Sequence, residues 1–177
     1  MINETLIAAC KAMDRSAQRQ LYEYLAPKLY QTCKRYLKQQ EEVEEVLADT
    51  FYSIFTKMDQ LKETAAFEAW ARRIAVNGCL AALRKKGNLL VYLEELPQGS
   101  SHFEKPASMG EKDLLKLLDQ LPDGCRTVFN LFAIEGYSHK EIATMLNISE
   151  GTSKSQLNFS KTKLKTLVNQ FYYLNEN

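Results

Sequence analysis

The chain has 177 residues, of which 45% are hydrophobic and 25% charged, with a formal net charge of +1. This composition is typical of a soluble globular protein and excludes disordered and fibrous classes. The length suits one ordinary domain or two small ones, and a net charge near zero neither supports nor excludes nucleic-acid binding.

No apolar run approaches the roughly 18 residues that span a bilayer, and the N-terminal segment is charged where a signal peptide would be apolar. We therefore expect a cytoplasmic protein without membrane insertion. The cysteines are scattered singly, so neither a disulfide framework nor a metal site is predicted and no cofactor is expected. We interpret them as reduced, half-buried apolar residues: Cys10, Cys33, Cys79 and Cys125.

Apolar residues recur with a period close to 3.6 nearly everywhere, which predicts an all-α protein. The first long apolar stripe extends over about residues 16–37, and Pro27 indicates either a kink or the first turn of a new helix. A second stripe extends over about residues 43–61. Its start is acidic, which suits the positive end of the helix dipole.

A third helix is predicted over about residues 64–86, with Gly87 as its C-cap. At 100° per residue, Asn77 and Arg84 share a face with Arg73. The segment 70–86 contains five basic residues and no acidic one, a pattern typical of a surface that follows DNA phosphates.

By contrast, the start of the second helix concentrates carboxylates without a basic residue among them: Glu41, Glu42, Glu44, Glu45 and Asp49. Taken alone, such a cluster is more simply a solvated first turn that complements the helix dipole. Together with the basic third helix it indicates a domain that contacts two different partners.

Between Gly87 and Gly110 the composition shifts to proline, glycine and serine, which indicates a flexible linker. We therefore predict two small helical domains, residues 1–88 and 111–177, joined by a linker over residues 89–110. Within the linker, the apolar stretch 89–96 fits either a short strand or a docking segment.

The second domain contains the most specific local pattern. Ser138 and Glu141 have the spacing of a capping box, which predicts the start of a short helix that ends near Asn147. Ser149 should then cap another helix that continues through Lys165. Two helices joined by such a turn form a helix-turn-helix, whose second helix enters the major groove.

The first turns of that second helix are rich in short polar side chains, followed by lysines. Such residues suit contacts with base edges and phosphates. The candidate DNA-binding residues here are Ser149, Thr152, Ser153, Lys154, Ser155, Gln156, Asn158 and Lys161.

With these features, the sequence resembles the extracytoplasmic-function sigma factors of bacterial RNA polymerase. The resemblance covers residues 16–168, with both domains in the family's order. Segment 42–55 (EVEEVLADTFYSIF) is similar to the family's polymerase-binding segment, and 67–77 (FEAWARRIAVN) to its promoter-melting helix. Segment 121–165 is similar to the helix-turn-helix that reads the minus-thirty-five element.

The resemblance implies a sigma factor that binds core RNA polymerase and directs promoter-specific transcription initiation. It implies polymerase-binding residues on the acidic helix, which are Glu44, Glu45, Val46, Leu47, Asp49, Phe51 and Phe55. It also implies contacts to the minus-ten element from Leu61, Lys62, Glu63, Trp70, Arg73, Asn77, Arg84 and Lys85. In this scheme Asn77 touches a base, and the loop at residues 61–64 receives a base flipped from the opened strand.

The partners implied are core RNA polymerase, double-stranded and melted promoter DNA, and an anti-sigma factor, and we expect the free protein to be a monomer. Two details depart from the family. Gln156 and Phe159 stand where arginine is common, so affinity for free DNA should be weak. Trp70 has the spacing of a core residue with Phe67 and Ile74, which we favour over stacking on a melted base.

Three other classes of protein fit the sequence less well. A stand-alone helix-turn-helix transcriptional regulator would share the C-terminal half, but needs a dimerisation or ligand-sensing domain in place of the N-terminal one. An enzyme is not expected, because two scattered histidines and the lack of a Gly-rich phosphate loop leave no residues to assign as acid, base or ligand. A purely protein-binding adaptor would have no use for the acid-free basic helix.

Overall fold

The computed structural model describes residues 2–87, 102 and 105–175. The chain divides into two compact units, Met1–Ala82 and Leu83–Asn177, and each is described by itself. The described residues form helices and no strand, as predicted from the apolar period. The apolar stretch 89–96 lies outside the described residues, so neither interpretation of it is tested, and the linker stays a prediction.

The first unit is built on four α-helices among its described residues. These are α1 (Glu4–Lys11), α2 (Arg15–Tyr36), α3 (Gln40–Lys57) and α4 (Phe67–Lys85), whose last residues fall in the second unit. Two short 3-10 turns, Met58–Gln60 and Thr64–Ala66, connect α3 to α4. Gly87 follows α4 with a φ of 73°, the left-handed conformation that the predicted C-cap requires.

Pro27 does not begin a new helix, because α2 is one helix from Arg15 to Tyr36 with Pro27 inside it. The proline lies on the exposed face, where water can satisfy the carbonyl that lacks its helical N–H donor. On the opposite face Leu21, Leu25 and Leu29 are buried on both sides of the proline. This continuous apolar stripe holds the two halves of α2 on the same core.

Helices α3 and α4 approach closely at Gly78. A Cβ atom added at Gly78 would lie 3.0 Å from Cγ1 of Val46, which is tighter than nine in ten real Cβ contacts. Glycine therefore allows α4 to lie against the middle of α3 at this point, and Val46 is buried as a result.

The cysteines are fully buried rather than half-buried, and all four are free thiols. Two that are far apart in sequence meet in the core: Cys33 of α2 and Cys79 of α4 share a hydrogen bond. That bond, together with burial, raises the pKa of Cys79 well above its usual value. The same bond lowers the pKa of Cys33, but neither thiol has the exposure of a reactive cysteine.

The described part of the second unit contains α5 (Glu111–Leu118), α6 (Asp123–Phe129), α7 (His139–Leu146) and α8 (Glu150–Asn175). Helix α6 continues directly into a π-helical turn, Asn130–Ile134. Helix α8 extends well beyond the predicted end at Lys165, because Leu164, Leu167 and Val168 continue its buried stripe. Among the described helices, none combines the length and apolarity needed to cross a membrane.

The helix-turn-helix pattern is present as the sequence predicts. Ser138 caps α7, with Glu141 N donating to Ser138 Oγ at 3.3 Å and Ser138 N donating to Glu141 Oε2 at 2.8 Å. Asn147 ends α7 in the left-handed conformation, with φ at 54°. Ser149 caps α8, since its Oγ accepts the Thr152 amide at 2.9 Å.

Candidate polymerase and promoter interfaces

The outer side of α3 presents an acidic surface with an exposed aromatic ring. Glu44, Glu45 and Asp49 are all exposed. Glu45, Asp49 and Tyr52 follow one another at spacings of four and three, which places them on one face of the helix. Tyr52 is 73% exposed, an unusual exposure for a large aromatic residue. This face therefore combines negative charge with the exposed ring of Tyr52.

Of the predicted apolar contacts on α3, Leu47 and Phe55 are half-buried and remain partly accessible. Val46 and Phe51 do not belong to the accessible surface, which corrects their assignment as polymerase-binding residues. Val46 packs against Gly78 of α4, and the ring centroids of Phe51 and Tyr22 are 4.5 Å apart. Their side chains hold the unit together, because the core stripe of α3 passes through both positions.

Sequence reasoning missed two aromatic residues beside this surface. Tyr22 on α2 is 46% exposed and, with Leu47 of α3, lines a groove of about 410 Å³ between the two helices. Tyr52 of α3 lies between two core residues, Phe51 and Ile54. The helical period contained the signal: Tyr22 follows the buried Leu21, so its side chain points about 100° away from the core.

The loop between α3 and α4 offers two side chains to a partner. Lys62 and Glu63 are exposed. Leu61 is buried, and its amide donates to the carbonyl of Met58 at 3.1 Å. The predicted DNA contact by the Leu61 side chain is therefore corrected: this leucine anchors the loop on the core, because it is the last apolar residue of the α3 stripe.

Helix α4 presents the basic face that its spacing predicts. Arg73 and Asn77 are exposed and four residues apart, and Arg84 and Lys85 are exposed in the last turn. Ala71, Ala75 and Cys79 occupy the opposite, buried face. The helix therefore separates a small-residue inner side from a cationic outer side.

Trp70 is half-buried, with its ring centroid 5.9 Å from that of the buried Phe67. This packing agrees with the favoured interpretation of Trp70 as part of the core, although one side of the residue stays accessible.

The start of α4 is tied to α2 by a polar cluster. Glu68 accepts a hydrogen bond from the Tyr24 hydroxyl at 2.7 Å and from Lys28 Nζ at 3.0 Å. These two donors, Tyr24 first, lower the pKa of Glu68. Lys28 also lies 4.0 Å from the centre of the Tyr24 ring. Glu68, the acidic residue in the first turn of α4, is thus already engaged with α2.

The recognition helix α8 has a polar outer face. Ser149 and Lys154 are exposed, while Thr152, Ser155, Asn158 and Lys161 are half-buried. Lys154, Ser155 and Asn158 lie within one turn of each other on the same side of the helix. These residues are accessible to a double-stranded partner.

Ser153 and Gln156, by contrast, are buried, with exposed fractions of 0% and 1%, and do not face solvent. Their assignment as DNA contacts was wrong, because they lie on the inner stripe of α8 together with Leu157, Ser160 and Leu164. Serine and glutamine are mostly exposed in folded proteins, so their polar character alone predicts exposure here.

The interior of the second unit is unusually polar. Ser160 Oγ donates to the Cys125 carbonyl of α6 at 2.9 Å. Arg126, which is 1% exposed, pairs with Asp123 at 3.0 Å and Asp119 at 3.3 Å. Burial is the main influence on Arg126 and lowers the pKa of its guanidinium, while both aspartates oppose that effect. The Ser160 hydrogen bond thus joins α8 to α6, and the Arg126 ion pairs join α6 to the end of α5.

Comparison with known proteins agrees with this architecture. A family model described as Sigma-70 region 2 matches residues 21–88, and one described as Sigma-70, region 4 matches residues 111–164. The extracytoplasmic-function RNA polymerase sigma factor SigM of Mycobacterium tuberculosis (strain Erdman) is 29% identical over 175 residues, which are 98% of this chain and 86% of SigM. SigW of Bacillus subtilis is 27% identical over 180 residues, 93% of this chain and 96% of SigW.

A solved structure has a similar fold: the sigma factor RpoE in complex with the anti-sigma factor NepR from Bartonella quintana, at a TM-score of 0.52 and 20% identity. The match covers 85% of this chain and 96% of that one. Both sigma-70 regions are thus present in their usual order, and the relatives are matched over most of their length. The chain belongs to the extracytoplasmic-function group of the sigma-70 family, the factors that direct transcription initiation by RNA polymerase.

Proposed function

We propose that this sigma factor divides its contacts among three helices: α3 holds core RNA polymerase, α4 with its preceding loop reads the minus-ten element, and α8 reads the minus-thirty-five element. The observation that carries the proposal is the pairing of an acidic, aromatic face on α3 with an acid-free cationic face on α4 within one small unit. Opposite charges on neighbouring helices suit two partners of opposite charge.

On α3 the polymerase contact is assigned to Glu44, Glu45, Asp49, Leu47 and Phe55, extended by Tyr22 and Tyr52. Exposed carboxylates orient a basic partner and reject an acidic one, whereas accessible aromatic side chains supply apolar area when they are covered. An exposed tyrosine on the same face as two carboxylates suits such an interface. A helix turn that only faces water has no need of an exposed aromatic ring.

On α4, Arg73 and Arg84 are proposed to hold phosphates, and Asn77 to read a base edge, because an amide both donates and accepts. Lys62 and Glu63 at the loop tip are proposed to border the pocket for a flipped base. The accessible side of Trp70 is proposed to cover a neighbouring base of the melted strand.

On α8 the proposed contacts are Ser149, Thr152, Lys154, Ser155, Asn158 and Lys161. Because only two of these are basic, few counterions would be released on binding, and affinity for free duplex DNA should be low. Reading of the upstream element then depends on attachment to polymerase, which raises the effective concentration of α8 at the promoter.

We further propose that an anti-sigma factor regulates the chain, as NepR binds the sigma factor of similar fold, and that the protein acts in the cytoplasm as a monomer when free. The chain is proposed to have no enzymatic activity of its own.

Transcription in vitro tests the assignment on α3. Core polymerase and the full chain are incubated with genomic DNA, and transcript ends identify the promoters used. The variant Glu45→Lys/Asp49→Lys reverses the charge of the shared face and should abolish binding to core polymerase with unchanged helicity by circular dichroism.

The control variant, Glu4→Lys/Asp59→Lys, makes the same charge change at exposed acids outside α3. If the α3 variant assembles with polymerase like the control, the polymerase site lies elsewhere.

A further inference from the structure

His139 begins α7 and makes two contacts that join the parts of the helix-turn-helix. Its Nδ1 lies 2.8 Å from the hydroxyl of Ser153 on α8, within hydrogen-bond distance. Its ring stacks on Phe132 of the π-helical turn, with ring centroids 4.6 Å apart and planes 22° apart. One side chain of α7, the helix before the turn, therefore contacts both the recognition helix α8 and the π-helical turn.

The position of Ser153 in α8 makes the orientation of the helix sensitive to this contact. Its neighbours Thr152 and Lys154 are among the accessible residues proposed to contact DNA, while Ser153 itself faces the interior. A contact at Ser153 therefore sets the rotation and depth of the turn that carries those residues. Because hydrogen bonds to DNA weaken steeply with distance and angle, a shift of this turn of less than 1 Å would be felt at the base edges.

The surroundings of the ring favour an uncharged imidazole. Burial lowers the pKa of His139, and Lys154 and Lys161 on α8 lower it further, while Glu150 opposes them. Phe132, the contact on the π-helical turn, carries no charge. An imidazolium at this position would repel two cations of the recognition helix.

We propose that His139 is a positioning residue that holds α8 in its promoter-reading orientation through Ser153 and Phe132, and that protonation of its ring weakens reading of the minus-thirty-five element. The inference rests on the proposed function of α8. Because the pKa of His139 is lowered in the folded protein, the stabilising effect of the neutral imidazole on the position of α8 is complete above the ordinary histidine pKa of 6.5. This effect is lost as the pH falls from 6.5 through the lowered pKa.

The readout is a ratio that isolates α8. Transcription by core polymerase with the full chain is measured from a promoter found in the genomic assay and from the same promoter with its upstream element replaced. Dividing the first rate by the second removes the pH dependence of polymerase itself. For the wild-type protein the ratio should fall several-fold between pH 7.5 and pH 5.5.

Two variants separate the contacts. His139→Phe keeps a ring against Phe132 but cannot titrate or bond to Ser153, and should lower the ratio at pH 7.5 about 2- to 10-fold, the range expected for one hydrogen bond. Its ratio should no longer change with pH. Ser153→Ala should lower the ratio at pH 7.5 similarly but keep the pH dependence, because His139 still titrates. The control is His102→Phe, which replaces the other histidine of the chain and should leave the wild-type profile.

Thermal unfolding of each full-length variant shows whether it is folded at both pH values. If His139→Phe is not folded, Ser153→Ala is compared with the wild-type protein instead. A wild-type ratio that is constant with pH, or a His139→Phe ratio that keeps the wild-type value and profile, overturns the inference while the proposed function stands. Absence of any promoter-dependent transcription by the wild-type protein would instead refute the proposed function itself.

Discussion

The close approach of α4 to α3 at Gly78 leads to a prediction whose sign depends on a neighbouring residue. Gly78→Ala places a methyl group 3.0 Å from Cγ1 of Val46, so Val46 or the backbone beside it must give by a few tenths of an ångström. Overpacking of this kind costs about 1–3 kcal/mol, and Val46 cannot rotate away because β-branched residues have one favoured rotamer in a helix. Alanine gains about 1 kcal/mol over glycine in a helix interior. We expect a net loss of stability of up to about 2 kcal/mol.

In a Val46→Ala background the opposing methyl is absent, so the same Gly78→Ala change should stabilise the protein by about 1 kcal/mol, the helix-propensity gain alone. Urea unfolding followed by circular dichroism measures all four proteins, with equal m-values as the condition for comparing them. Ala81→Gly, at an exposed position of α4, measures the propensity difference directly. A Gly78→Ala variant that is stabilised by about 1 kcal/mol with Val46 in place would show that the helices do not approach closely at this point.

Three further predictions concern other parts of the two units. Arg126→Ala should destabilise the protein by about 2–5 kcal/mol in thermal unfolding, because it empties a buried site and also removes the ion pairs with Asp119 and Asp123. Arg126→Met refills the site without restoring the ion pairs and should therefore cost less; equal losses would show that refilling the site recovers no stability. Because the pKa of Glu68 is lowered, its carboxylate stabilises the folded protein at pH values above its ordinary pKa of 4.5. This stabilisation is lost as the pH falls through the pKa of Glu68 in the folded protein. Glu68→Gln should therefore be less stable than wild type at pH 7 in urea unfolding and lose less stability on acidification, and parallel pH profiles would contradict this. Asn77→Ala should change the preferred minus-ten sequence in a randomised promoter library, by about 1–3 kcal/mol at the base it reads, while Arg84→Ala weakens all promoters alike at two salt concentrations. A uniform loss with Asn77→Ala would make the asparagine a phosphate-binding or structural residue.

Local features of the fold could be predicted because their causes are local. The capping box of α7 and the left-handed end at Asn147 depend on residues within one helical turn, so the sequence contains all the information needed. The cationic face of α4 also follows from spacing alone. The same kind of local rule allows Pro27 to begin a new helix, and that alternative is wrong, because the tertiary core on the opposite face of α2 outweighs one missing hydrogen bond.

The interior assignments were harder because they depend on contacts between helices. Val46 and Leu47 are adjacent and similar in polarity, and only the position of Gly78 on α4 determines that Val46 is the buried one. The meeting of Cys33 with Cys79, separated by more than a helix in sequence, has no signal in either segment. Ser153 and Gln156 illustrate the same limit, since polar residues enter a core only when another helix supplies a polar surface to receive them.

The hydroxyl of Ser160, bonded to the Cys125 carbonyl, has a consequence for the opposite side of α8. A helix whose inner face consists of leucines can turn about its long axis at little cost, since one apolar side chain replaces another. Turning α8 by one residue would carry Ser160 away from α6 and move Gln156 from its present buried site, so these polar groups would need new partners. The angular setting of the side chains that we propose to face DNA is thus determined by buried residues on the inner side of α8. Exchange of outer residues could therefore alter promoter preference without changing the rotation of the helix that presents them.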